Sequence, residues 1–265
     1  MSLDGLANIN IELTDRCQKN CWMCGRRKRE RENPEIKSSY GNMDFNLVEL
    51  ISVQVPSGII IQFHNNGEGL LYPWFGKTVK LFRKCITNIV TNGILLVEKA
   101  NEIVENLDTI SISIIENDGA WQEQLTTIEK FLELKGDKKP FTTLRFVGKI
   151  DESRYGHLDL LKVRRVLHDP TGSVNYKKKV TIPEHGICED MLHHLAINKL
   201  GDVSLCVRFD PNRELVLGNI KEYSLDELWN SEKRLQIKKL HVQGKRKLVQ
   251  YCGNKCDFYG VATSP

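Results

Sequence analysis

The chain has 265 residues, with 38 Lys and Arg against 34 Asp and Glu for a formal net charge of +4, and eight cysteines. That balance is too mild to announce a nucleic-acid binder, no apolar run reaches the ~18–20 residues of a membrane span, and the N-terminus lacks the basic-then-apolar layout of a secretion signal. Thiols of this number in a chain neither short nor evidently secreted point to metal or redox chemistry rather than a disulfide framework, and a cytoplasmic location is expected.

The first two thirds alternate strand-like and helix-like segments. Ile9, Ile11 and Leu13 alternate with polar residues and predict a strand over 7–13; Leu47, Leu50 and Ile51 fall at helical spacing within 44–54. Gly58 opens the apolar run Ile59–Phe63, a buried parallel strand. A helix over 73–84, a strand over 86–91, a helix over 95–106 and a β-rich run over 109–114 follow. Trp121, Leu125, Ile128 and Leu132 mark one face of an amphipathic helix, 142–147 is a fifth strand, and 163–167 is a sixth after a short helix. Repeated strand–helix units require a parallel sheet with right-handed crossovers, and six units suggest an incomplete barrel, a partial (β/α)6 TIM-type α/β fold over residues 1–182.

Pro170, Gly172, Pro183 and Gly186 make 169–186 a linker. Beyond it, residues 183–265 read as a small α+β module: a hairpin turning at Gly201-Asp202, then a helix over 224–240 with Leu225, Leu228, Trp229 and Leu235 on its apolar side.

The sharpest chemical signal is Cys17-x3-Cys21-x2-Cys24, just after the first strand. Thiolates are soft donors suited to iron–sulfur clusters and to zinc. Structural zinc normally takes four protein ligands, and no fourth cysteine or histidine lies nearby in sequence. Three thiolates can hold three irons of a four-iron cluster and leave the fourth open. A second group, Cys188, Cys206, Cys252 and Cys256, falls in the C-terminal module, where zinc is the alternative occupant. Cys85 stands apart and reads as a small buried hydrophobe. The basic runs Arg26–Arg29, Lys177–Lys179 and Lys245–Lys247 read as solvated loops.

Ile11-Glu12-Leu13-Thr14-Asp15-Arg16-Cys17, leading into Cys-x3-Cys-x2-Cys, resembles the cluster loop of the radical S-adenosylmethionine (SAM) superfamily. The resemblance covers about residues 7–258. It implies a [4Fe–4S] cluster on Cys17, Cys21 and Cys24 whose open iron binds SAM, reductive cleavage of SAM to a 5′-deoxyadenosyl radical, and hydrogen abstraction from a substrate. Asn66-Gly67-Glu68-Gly69 resembles the family's Gly-Gly-Glu-Pro loop, with Asn66 for the first glycine and Gly69 for the proline. Gly67 and Glu68 are then SAM-binding candidates, Glu68 toward the ammonium group. Asn92 in Thr91-Asn92-Gly93, Ser113 ending the fourth strand, and Arg145 in the fifth, toward the SAM carboxylate, complete the cosubstrate set. Met23 stands where the family usually has an aromatic residue, its backbone toward adenine.

The C-terminal module resembles the "twitch" form of the SPASM domain, which implies an auxiliary [4Fe–4S] cluster on Cys188, Cys206, Cys252 and Cys256; the ending is Cys-x3-Cys where Cys-x2-Cys is usual. One barrel with one twitch module is the layout of a dehydrogenase type within the family. The resemblance therefore implies oxidation of a small molecule (a sugar, cyclitol or nucleotide-linked metabolite), with the auxiliary cluster as electron acceptor and a flavodoxin- or ferredoxin-type donor. Radical modification of a peptide or protein side chain is the alternative, a nucleic-acid substrate and a non-enzymatic iron–sulfur carrier stand lower, and no membrane partner is expected. No residue in the sequence declares itself the catalytic base.

Overall fold

A computed structural model of the chain describes residues 2–165, 186–207, 210, 213–254 and 256. In chain order the elements are β1 (Asn8–Ile11), α1 (Arg26–Glu32), α2 (Phe45–Gln54), β2 (Ile60–Gln62), α3 (Phe75–Leu81), β3 (Ile86–Thr91), α4 (Ala100–Ile103), β4 (Thr109–Ile115), α5 (Trp121–Lys135), β5 (Phe141–Val147) and β6 (Leu161–Arg165). The C-terminal part adds α6 (Glu189–His193), β7 (His194–Ile197), β8 (Asp202–Ser204), β9 (Val216–Asn219), α7 (Leu225–Trp229), α8 (Glu232–Val242) and α9 (Gln250–Asn254). Strands β1 to β6 pair side by side, all parallel, as a partial barrel requires. Among the described residues no helix is long and apolar enough to cross a membrane.

The strand period of two divides the sheet chemically. Ile9, Ile11, Ile61, Phe63, Ile110 and Ile112 are fully buried in one core with Val48 and Ile51 of α2, Phe75 of α3 and Ile128 and Phe131 of α5. The alternate positions carry Asn8 and Asn10, Gln62, Asn88, Ser111 and Thr143, and the register lines them up: Asn10 opposite Gln62, Gln62 opposite Asn88, Ser111 opposite Thr143. One face is thus a hydrophobic seam to the helices, and the other is polar.

The C-terminal hairpin does not stand off as a separate sheet. Strand β7 pairs parallel with β1, Ile9 opposite Leu195 and Ile11 opposite Ile197, and β8 and β9 continue antiparallel, so among the described residues nine strands form one sheet. The expected linker and the division at 182/183 lie outside the described residues, apart from Gly186.

Three elements differ from the sequence expectation. The helix expected over 95–106 is helical only over Ala100–Ile103; the chain then turns at Glu105, whose φ of 63° and N–H bond to the Lys139 carbonyl end the helix. The helix expected over 224–240 breaks into α7 and α8, because the buried Arg234 stacks on the Trp229 ring and donates from Nη1 to the Trp229 carbonyl at 2.8 Å. The basic stretch from Arg26 is helical, and Arg26 itself is buried.

Candidate functional site

The loop from β1 to α1 carries the first three cysteines, all half-buried with free thiols. The Cys24 N–H donates to the Cys21 carbonyl at 3.2 Å, a tight turn that brings those two cysteines together. Burial, then the neighbouring Cys24 and Cys17 thiols, push Cys21 up to about 11. Cys17 is raised by burial too, opposed by the Lys19 N–H and the Arg26 charge. Three thiols so placed cannot ionise together without positive charge between them, and metal binding, which displaces thiol protons, supplies it.

Neighbouring residues on several elements hold this loop. Arg26 donates to the Asp15 carbonyl at 3.2 Å and the Lys19 carbonyl at 3.3 Å while its Nε lies 3.2 Å from Glu30. Lys19 pairs with Asp118, and Trp22 Nε1 donates to the Glu116 carbonyl at 3.2 Å. Met23 and Cys21 pack on Ile115 and Val147, the C-terminal ends of β4 and β5. The loop therefore sits over the C-terminal strand ends, where α/β barrels build their sites.

The Gly67–Glu68 loop docks directly on it. A Cβ on Gly67 would lie 2.0 Å from the Thr14 carbonyl oxygen, so only glycine permits the approach, and the Glu68 N–H donates to the Arg16 carbonyl at 2.8 Å. Glu68 is 3% exposed; its carboxylate accepts from Thr91 Oγ1 at 2.8 Å, the Asn92 N–H at 2.8 Å and the Leu70 N–H at 3.2 Å. Burial raises its pKa against those bonds. A carboxylate offers about four lone-pair sites, so this one binds the loop ends of β2 and β3 with three and keeps one. Asn92 reaches from β3 to Cys17, Nδ2 to Sγ 3.8 Å. Ser113 faces Arg145 across the β4–β5 register, and Gln124 of α5 donates to the Asn92 and Ser113 carbonyls at 2.7 and 3.0 Å.

The second thiol group also converges. Burial and the neighbouring Cys256, Cys188 and Cys206 push Cys252 up to about 12, with Arg246 opposing. Arg246 is buried beneath it, donating to the Cys252 carbonyl at 2.9 Å and the Cys256 carbonyl at 3.3 Å, while His241 Nδ1 accepts from the Cys188 N–H at 3.0 Å. Among the described residues no three Cys, His, Asp or Glu side chains converge tightly enough to share one metal ion. An all-thiolate donor set fits a multinuclear iron–sulfur centre, in which each sulfur takes its own iron. Cys85 packs in the hydrophobic core and donates to the Pro56 carbonyl at 3.3 Å.

Sequence reasoning missed Arg26, Gln124, Arg246, His241 and Lys199. Their partners lie 4 to 187 residues away, most of them beyond any local spacing.

Comparison with known proteins agrees with this layout. Residues 188–257 match SPASM, the iron–sulfur cluster-binding domain. Over 263 residues, 96% of this chain and 94% of the relative, the sequence is 24% identical to the S-adenosyl-L-methionine-dependent 2-deoxy-scyllo-inosamine dehydrogenase of Niallia circulans. BtrN in complex with AdoMet and 2-DOIA superposes with a TM-score of 0.61 at 20% identity, over 97% of this chain and 95% of that one. Native anSMEcpe with bound AdoMet and Cp18Cys peptide superposes with a TM-score of 0.61 at 15% identity, over 98% and 91%. The fold is therefore the one shared by BtrN and anSMEcpe, and its C-terminal part matches the SPASM iron–sulfur cluster-binding domain. Its particular likeness, along nearly the whole chain, is to the SAM-dependent dehydrogenase.

Proposed function

We propose that the chain is a radical SAM oxidoreductase that removes hydrogen from a hydroxylated small molecule. The observation that carries this is the close docking of the Gly67–Glu68 loop on the cysteine loop, with Asn92 reaching Cys17. An iron carrier needs no such cradle beside its thiols. When bound, a four-iron cluster on Cys17, Cys21 and Cys24 supplies the electron that splits SAM, and one on Cys188, Cys206, Cys252 and Cys256 accepts the electron left on the substrate.

The chain's own residues bind and orient. Glu68 keeps one acceptor position for the SAM ammonium, Ser113 and Arg145 serve its polar and carboxylate end, and the Met23 backbone meets adenine. The packing of Met23 on Ile115 and Val147 excludes water there. A flavodoxin- or ferredoxin-type protein supplies the reducing electron.

Anaerobic reconstitution with iron and sulfide, then SAM and dithionite, tests the reading: 5′-deoxyadenosine accumulates with the native chain and not with Cys24→Ala. Persistent absence of that product from a fully loaded protein rejects it. With 2-deoxy-scyllo-inosamine as probe, a product two mass units lighter is expected.

A second reading, radical oxidation of a peptide side chain, draws support from the equal superposition on peptide-bound anSMEcpe. It predicts turnover of a cysteine-containing peptide in place of the cyclitol.

A further inference from the structure

The chain's formal charge is only +4, yet residues 233–254 contain seven Lys and Arg and no Asp or Glu. Three of the seven are engaged: Arg234 stacks on Trp229, Arg246 is buried beside the second thiol group, and Lys233 donates to the Glu214 and Val216 carbonyls. The other four, Lys238, Lys239, Lys245 and Lys247, meet no carboxylate among the described residues. Lys19, Lys99, Lys138, Lys139 and Lys199 elsewhere in the chain each face one. Two large apolar side chains stand in solvent among the four: Val242 is 62% exposed and Leu248 69%. Val242 ends α8 one turn beyond Lys238 and Lys239, and Leu248 closes the 3-10 turn Arg246–Leu248 beside Lys245 and Lys247.

This surface is seated on the backbone that carries the second thiol group. The Arg246 N–H donates to the Gly186 carbonyl at 3.0 Å, two residues before Cys188, and a Cβ on Gly186 would collide with the Gly244 carbonyl. A Cβ on Gly253, next to Cys252, would collide with the Lys247 carbonyl. The Arg246 guanidinium reaches the Cys252 and Cys256 carbonyls from the same turn. Folding gains nothing from like charges gathered without a counter-charge. An apolar centre within a charged rim is the layout of a protein interface, and unmatched charge steers encounter with a partner of opposite sign. The exposed cations are all lysines, and the aromatic residue of this stretch, Tyr251, is buried, so the face lacks the stacking groups that single-stranded nucleic acid uses.

We infer that Lys239, Val242, Lys245, Lys247 and Leu248 form the docking face for an acidic one-electron carrier protein, an oxidised flavodoxin or ferredoxin, that takes electrons from the C-terminal thiol group. The assignment rests on the oxidoreductase function proposed above and names a partner for its exit side. In that reaction the substrate gives a hydrogen atom to the 5′-deoxyadenosyl radical, then a proton to solvent and an electron to the C-terminal module. One electron must therefore leave the module for each one spent in splitting SAM, and the oxidised carrier, gaining one electron, balances the sum. Electron-transfer encounters of this kind are small and short-lived, which suits a face with two exposed apolar side chains and a lysine rim.

Anaerobic calorimetry of the reconstituted protein with oxidised flavodoxin tests it, with stopped-flow formation of the flavin semiquinone from the reduced protein as a second readout. Binding is expected at low salt and should weaken steeply as salt rises. Lys245→Glu with Lys247→Glu should weaken binding and slow semiquinone formation on the order of tenfold or more, while dithionite-driven SAM cleavage and iron content stay at native values. Lys245→Gln with Lys247→Gln, which removes charge without reversing it, should fall between. The same reversal on α3, Lys77→Glu with Lys80→Glu, should leave both readouts near native. Equal effects of the two reversals, or none from either, overturn the inference. So does charge-dependent binding of a duplex oligonucleotide tighter than that of flavodoxin, which would give the face to nucleic acid. SAM cleavage without lysine-dependent flavodoxin binding rejects the docking face alone. Lysine-dependent binding in a fully loaded protein that never cleaves SAM upholds the face and rejects the radical reading.

Discussion

Lys199 Nζ lies 2.8 Å from Asp15 Oδ2, with 11% and 10% of the two side chains exposed, so the turn of the C-terminal hairpin is ionically fastened to the loop entering Cys17. The same lysine donates its backbone N–H to Glu12 at 3.4 Å, and Asp15 also accepts from the Gly41 N–H at 2.8 Å. With β7 paired to β1, this couples the module that carries the second thiol group to the loop that carries the first.

Lys199→Met should therefore destabilise the metal-free chain by about 3 kcal/mol, since removing one partner of a buried pair leaves the other charge uncompensated. Urea unfolding measures the loss. Adding Asp15→Asn should recover part of it, and full additivity of the two changes would refute the coupling.

Gly67→Ala meets the Thr14 carbonyl head-on. Forcing the two loops apart should cost about 2–3 kcal/mol and lower 5′-deoxyadenosine formation on the order of a hundredfold, because the thiol loop and the SAM-binding loop lose their relative placement. Thermal melting and a SAM-cleavage assay report the two effects separately; wild-type cleavage by the variant would be the contrary result.

Burial raises the Glu12 pKa above its ordinary 4.5, with the Asn66 and Lys199 hydrogen bonds opposing and the Asp15 charge adding to the rise. In this window the native state binds more protons than the unfolded one, so the contribution is fully present below pH 4.5 and is lost as pH climbs through the folded value. Melting temperature should decline over that rise less steeply in Glu12→Gln than in the native chain. Parallel slopes would show that Glu12 does not titrate with folding.

Arg246, 2% exposed, ties the Cys252 and Cys256 carbonyls to one guanidinium. Replacing it with methionine should loosen the second thiol group alone. Iron per reconstituted chain should fall from about eight toward about four, read by iron and sulfide analysis, while retention of about eight would show that the thiols gather without it.

Much of the layout is legible in local pattern. The alternation of Ile9 and Ile11 with Asn8 and Asn10 predicts a strand with one apolar face, and β3 lies at the expected residues 86–91 because its β-branched run is bounded by clear turns. The split of α7 from α8 was hidden, because it depends on Arg234 choosing the Trp229 ring and carbonyl over solvent. Arg26 was hidden for a similar reason: four successive basic residues look solvated, and burial of one needs the Asp15 and Lys19 carbonyls and Glu30 around it.

By itself the sequence determined the order of strands and helices, the spacing of Cys17, Cys21 and Cys24, and the chemistry such thiols serve, because these depend on residues within a few positions of one another. Only the tertiary structure decided that Gly67 presses on Thr14 and that Lys199 grips Asp15. Those relations follow from strand register and loop docking, which are set by the packing of segments far apart in the chain.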